Sequence, residues 1–158
     1  MMNMKQSIML LLLCVLSACS SSDDEEARDM TYPEISDVGI TANPTDCQVY
    51  HRGESIPFSY VFTDDTELGA YNIEIHHNFD HHTHSTSSVE CPMEALKQPV
   101  HPWVFNQDYP IPSGQRTYKS RIDIPIPEDI DTGDYHFMIR VIDRAGWQQL
   151  RVIAVKIE

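Results

Sequence analysis

Beyond Thr31 the apolar residues recur at every second position in short runs, and no stretch of useful length carries the helical period of 3.6. A repeat of two belongs to extended strands, whose successive side chains point to opposite faces. Ile56, Phe58, Tyr60 and Phe62 alternate with Pro57, Ser59 and Val61, and Tyr71, Ile73 and Ile75 alternate with Asn72, Glu74 and His76. Further strands are predicted at Ile122 and Ile124, at Tyr135, Phe137, Ile139 and Val141, at Ile153, Val155 and Ile157, and more weakly from Ile35 to Ile40. Asp64-Asp65-Thr66 and Asp143-Arg144-Ala145-Gly146 supply turns between them. The expectation is all-β, an immunoglobulin-like two-sheet β-sandwich of six or seven strands.

A local pattern sharpens that expectation. In Asp131-Thr132-Gly133-Asp134-Tyr135, an Asp, a Gly and a Tyr stand at alternate positions at the entry to a strand. In immunoglobulin-like domains this spacing makes the corner before strand F, where the Tyr hydroxyl bonds back to the turn backbone. The competing reading is a chance turn before a strand. Between His77 and Tyr118 lies one long inter-strand loop without clear period, containing Cys91-Pro92, His101-Pro102-Trp103 and Tyr109-Pro110-Ile111-Pro112. Trp103, Val104 and Phe105 are expected to form a small satellite core over it; an exposed ligand platform is the alternative.

The amino-terminal end follows another grammar. Lys5 is followed by an apolar run from Ile8 to Leu16 and then by Leu16-Ser17-Ala18-Cys19. That run is shorter than the roughly 20 apolar residues of a membrane-spanning helix, so residues 1–18 read as a cleaved secretory signal. Small residues before a cysteine resemble the bacterial lipobox, which implies lipidation of Cys19 and a lipid bilayer as partner. A plain signal peptide with Cys14 and Cys19 as bystanders is the rival. Ser20-Ser21-Ser22-Asp23-Asp24-Glu25-Glu26 cannot bury apolar surface, so residues 19–30 are expected to be a lipidated cysteine and acidic disordered tether, and residues 31–158 the sandwich domain. The acidic run also resembles the export signal of Bacteroidetes surface lipoproteins. This implies an outer membrane lipoprotein of the cell envelope, carried to the outer surface.

Removing Lys5 with the signal leaves 10 basic against 24 acidic residues, a net charge of −14. A field of that sign repels phosphate, so no nucleic acid partner is expected and cations are favoured. Length allows one ordinary domain. Of the 4 Cys, Cys14 leaves with the signal and Cys19 takes the lipid, so Cys47 and Cys91 remain for a disulfide, or alternatively for thiolate ligation of a metal.

Five of the 8 His fall between His76 and His84. Neutral imidazole is the commonest protein ligand for zinc, copper and nickel. If Tyr71, Ile73 and Ile75 face the core, His76 lies on the outer face; with Tyr135 and Phe137 inside, His136 and Met138 lie on that face too. Strands C and F of an immunoglobulin-like order are antiparallel neighbours, which places His76 and His136 side by side. The predicted metal ligands are therefore His76, His82, His84 and His136, since an H-x-H pair in extended backbone points both rings to one side. Lesser candidates are His77, Asp80 and His81, with His77 on the inward parity. A polar loop without an ion and a histidine pH switch compete with the metal reading. Met138 is a possible soft ligand for Cu⁺ or an ordinary exposed methionine. Glu74, on the same face, would serve as a general base were the site catalytic, but no nucleophile motif, phosphate loop or HExxH helix occurs, so no enzyme is expected.

Tyr32-Pro33-Glu34-Ile35, the stretch Ile75 to Thr86 and the run Gly133 to Trp147 together resemble a Bacteroidetes envelope lipoprotein family described only as domain of unknown function 4625. The resemblance spans nearly the whole mature domain and implies a small β-sandwich lipoprotein with no assigned activity. The function expected is capture, delivery or sensing of a zinc or copper ion by a monomer. The alternatives are a metal-free module binding an envelope or extracellular protein or glycan, and a small metalloenzyme.

Overall fold

The computed structural model describes residues 28–84 and 90–158, so the signal, Cys19 and the acidic run Asp23 to Glu26 lie outside the described residues. The described chain forms eight strands and, among the described residues, no helix: β1 (Glu34–Ser36), β2 (Gln48–Tyr50), β3 (Ser55–Thr63), β4 (Leu68–His77), β5 (Phe105–Pro110), β6 (Thr117–Pro125), β7 (Gly133–Asp143) and β8 (Gln148–Ile157). They make two sheets, a three-stranded one in the order β1-β3-β6 and a five-stranded one in the order β2-β8-β7-β4-β5. This is the layout of an immunoglobulin-like β-sandwich, with β4 and β7 in the places of strands C and F.

The period-two residues meet between the layers. Ile56, Phe58, Tyr60 and Phe62 of β3 face Tyr71, Ile73 and Ile75 of β4 and Tyr135, Phe137 and Ile139 of β7, all buried. Phe58 stacks on Phe137 at 5.7 Å and on Tyr71 at 6.0 Å across the interlayer space. Burying each such side chain contributes roughly 1.5–3 kcal/mol, which makes this strip the main reason the layers adhere. Its polar atoms are paired: Ser120 Oγ donates to Tyr71 Oη at 2.7 Å, and Tyr60 Oη donates to the Pro44 carbonyl at 2.6 Å.

The corner before β7 forms as its spacing predicts. Tyr135 Oη donates to the Asp131 carbonyl at 2.6 Å and accepts from the Trp103 amide at 3.2 Å. Gly133 has φ +124, and a Cβ there would stand 2.8 Å from Lys97 Nζ and 3.1 Å from Phe79 Cε1, so this position needs glycine. Two details differ from the sequence expectation. Strands β2 and β5 were not anticipated; β5 occupies part of the long loop and pairs with β4 from Ala70↔Pro110 to Ile75↔Phe105. The satellite core does not form as expected, for Trp103 is 5% exposed and belongs to the main core, while Val104 is 70% exposed. Cys47 and Cys91 form a disulfide that pins the remaining loop beside β2.

Candidate metal centre

His76 and His136 are register partners in the antiparallel pair β4–β7, their ring centroids 5.5 Å apart. After His77 the chain leaves the sheet: the Asn78 amide donates to the Asp134 carbonyl and Phe79 inserts into the core. His81 then takes φ 57, and its amide donates to the Asn78 carbonyl. That conformation is uncommon outside glycine but is adopted more often by Asn, Asp and His. The chain reverses there and sets His82 and His84 over the outer face of β4 and β7, with ring centroids 4.9 and 4.7 Å from that of His136. One ring nitrogen from each of His76, His82, His84 and His136 lies within 4.8 Å of the others.

The closest separations carry chemical information. His76 Nε2 is 3.2 Å from His82 Nε2 and 3.2 Å from His84 Nε2. Four nitrogens bound tetrahedrally at about 2.0–2.1 Å stand about 3.3 Å apart, whereas adjacent ligands of a square-planar ion at the same bond length stand about 2.8 Å apart. Both separations from His76 Nε2 lie nearer the tetrahedral value than the square-planar one.

The far side of two rings fixes where their protons are. His76 Nδ1 lies 3.1 Å from Glu74 Oε1, and His82 Nδ1 lies 2.6 Å from Asp80 Oδ1. A carboxylate only accepts, so both Nδ1 atoms carry hydrogen, and in the neutral rings both Nε2 atoms present lone pairs. Those lone pairs point at each other across 3.2 Å. His136 is 7% exposed, its Nδ1 buried without a partner. Burial, reinforced by His84, His82 and His76, pushes its pKa down to about 3. Burial likewise lowers that of His76, against the opposing pull of Glu74. Burial therefore favours the neutral, lone-pair-bearing forms of His136 and His76.

The other candidates stand elsewhere. His81 Nε2 bonds to the Glu94 carbonyl at 3.0 Å and takes no part in the cluster. His77 packs its ring 4.8 Å from that of Phe79, on the inward parity. Asp80 braces His82 rather than joining the donor set, and Glu74 braces His76, which occupies the carboxylate that a general base would need free. Met138, two residues along from His136, is 7% exposed and thus not the exposed side chain expected; its register partners are Glu74 and Val152. The bracing was missed from sequence: Glu74-x-His76 has the spacing that places acid and ring on the same side of a strand, whereas Asp80 reaches His82 across the left-handed His81. His82, His84 and His136 also line a cavity of about 840 Å³ between the long loop and β8. No curated protein matches the chain. The model of one family matches residues 17–158, nearly the whole sequence, and the chain belongs to that family, described as a domain of unknown function (DUF4625).

Proposed function

We propose that this protein binds one transition metal ion, zinc in preference to copper, through His76, His82, His84 and His136, and that it serves to capture, deliver or sense that metal in the cell envelope. The observation that carries the reading is the pair of Nε2 atoms 3.2 Å apart whose rings are both held from behind by carboxylates. A cation converts this lone-pair repulsion into coordination, and carboxylate-braced histidine is the usual way proteins orient imidazole on zinc. The two 3.2 Å separations from His76 Nε2 favour zinc over a square-planar Cu²⁺. Four protein ligands complete a tetrahedral sphere and leave no place for a reacting water, which supports holding over hydrolysis. Two ligands come from rigid strands and two from a loop segment bordering the cavity, a route by which the ion can enter and leave.

The envelope setting rests on Leu16-Ser17-Ala18-Cys19 and the acidic run after it, with Cys19 as the lipid-bearing residue and the outer membrane as its bilayer. Mass spectrometry of the membrane-extracted protein tests this: a diacylated Cys19 at the amino terminus is expected, and an unmodified cysteine defeats it. For the metal, elemental analysis of untagged protein should find about one zinc per chain. A cobalt-substituted form should show the intense visible bands of a tetrahedral ion, and His76→Ala and His136→Ala should each lose the metal. Protein that stays empty after zinc addition, with a melting temperature indifferent to chelator, would favour a metal-free module for a protein or glycan partner.

A further inference from the structure

At the opposite end of the sandwich, three aspartates from separate segments converge. Asp64 follows β3, Asp143 ends β7, and Asp29 precedes β1; one carboxylate oxygen from each lies within 4.8 Å of the others. Sequence reading gave the first two no role beyond turns. Each spends its Oδ1 on local backbone: Asp64 accepts from the Thr66 and Glu67 amides, Asp143 from the Gly146 and Trp147 amides, and Asp29 from the Thr31 amide. The remaining oxygens are the unusual part. Asp143 is only 4% exposed, and both its Oδ2 and that of Asp64 are buried without any hydrogen-bond partner. Among the described residues no Lys, Arg or His forms an ion pair with any of the three, although Arg144 is close enough in sequence to do so and pairs with Glu67 instead. A buried, unpartnered carboxylate oxygen beside two further carboxylates is costly unless a cation or a proton compensates it, and burial with Asp64 and Asp29 nearby raises the Asp143 pKa accordingly.

We infer that Asp29, Asp64 and Asp143 form a calcium site that fastens the amino-terminal segment to the end of the domain. Oxygen-only donors select a hard cation over the transition metals that imidazole prefers. Calcium accepts irregular geometry and completes its shell with water, whereas magnesium sheds water reluctantly and demands near-octahedral ligands. The segment is already guided to this place: Trp147 Nε1 donates to the Asp29 carbonyl at 2.9 Å, the Tyr32 ring lies 4.8 Å from that of Trp147, and Thr31 Oγ1 donates to Asp65 Oδ2 at 2.9 Å. Calcium would link the segment that leads toward the membrane anchor to the two loops that carry Asp64 and Asp143.

The test uses the whole chain with calcium chloride as the only added ligand. At about 5 mM calcium the melting temperature should rise by about 5 °C, and tryptic cleavage after the exposed Arg28 should slow by about tenfold. Asp143→Asn keeps the acceptor for the Gly146 and Trp147 amides while removing the charged ligand, and Asp29→Asn likewise keeps the acceptor for the Thr31 amide; both should lose both responses. His136→Ala should keep them, which separates this site from the histidine cluster. No response to calcium, an equal response to magnesium, or a response that survives Asp29→Asn would each overturn the assignment.

Discussion

Glu74 and Asp80 do the same job from two different segments, each holding the Nδ1 hydrogen of the histidine two positions later. The consequence is that His76 and His82 are confined to one tautomer and one ring orientation before any ion arrives. Removing such a carboxylate usually weakens metal binding by 10–100-fold while leaving the ligands themselves in place. Glu74→Gln keeps an oxygen near His76 Nδ1 but removes the charge, so zinc affinity measured by competition with a chelating dye should fall by about tenfold, with one zinc still bound at saturation. Unchanged affinity would mean that Glu74 is a bystander. The positions of His76 and His136 were legible in the sequence, because both follow from parity once their strands are recognised. Asp80 was not, since its role depends on the left-handed residue His81 that reverses the chain after it, and one sequence contains no strong signal for that turn.

Among the elements, β3, β4, β7 and β8 were readable because their large apolar residues alternate in the sequence, although β7 is in fact buried on both faces from Gly133 to Ile139. β5 was hidden for a physical reason. It is an edge strand whose sequence Phe-Asn-Gln-Asp-Tyr-Pro presents only Phe105 and Tyr109 to the core region, four positions apart, with Asn106, Gln107 and Asp108 exposed. Its place is fixed by pairing with β4 and by Tyr109 stacking on Tyr71 at 4.9 Å, both of which are long-range contacts. The three-residue β2 is too short for any period and pairs in parallel with β8. It also adjoins Cys47, so the disulfide to Cys91 joins this edge to the loop that precedes β5. The bridge closes a sequence separation of 44 residues, which in the chain-entropy model contributes about 4 kcal/mol by restricting the unfolded chain. Reduction, or Cys91→Ser, should therefore lower the melting temperature by about 10–20 °C in calorimetry. A fall under about 2 °C would show that the other loop anchors, such as the Lys97 amide on the Phe79 carbonyl and the Glu94 amide on Asp134 Oδ2, hold this region without it.

For the molecule as a whole, a formal net charge of −13 and a half-buried imidazole cluster set the response to pH. The groups facing His136 are His84, His82, His76 and Asp80; the first three oppose its protonation, as does burial, and only Asp80 favours it. Its folded pKa of about 3 lies far below the value of about 6.5 expected in the unfolded chain. Between those two values the unfolded chain binds the proton and the folded one does not, so stability falls as pH falls through this window. His76 shifts in the same direction and adds to the slope. Above pH of about 6.5 both contributions are fully present. Zinc steepens the dependence, because it requires all four rings unprotonated and each proton that returns competes with the ion. The melting temperature of the zinc-free protein should decline steadily from pH 7 to pH 4.5, and His136→Gln, which cannot titrate, should flatten that decline. The zinc-loaded protein should melt well above the zinc-free one at pH 7.5, and the gap between the two curves should narrow as pH falls. Parallel curves for wild type and His136→Gln would place the acid sensitivity in the carboxylates instead, and a zinc increment that does not shrink at all as pH falls would be incompatible with imidazole ligands.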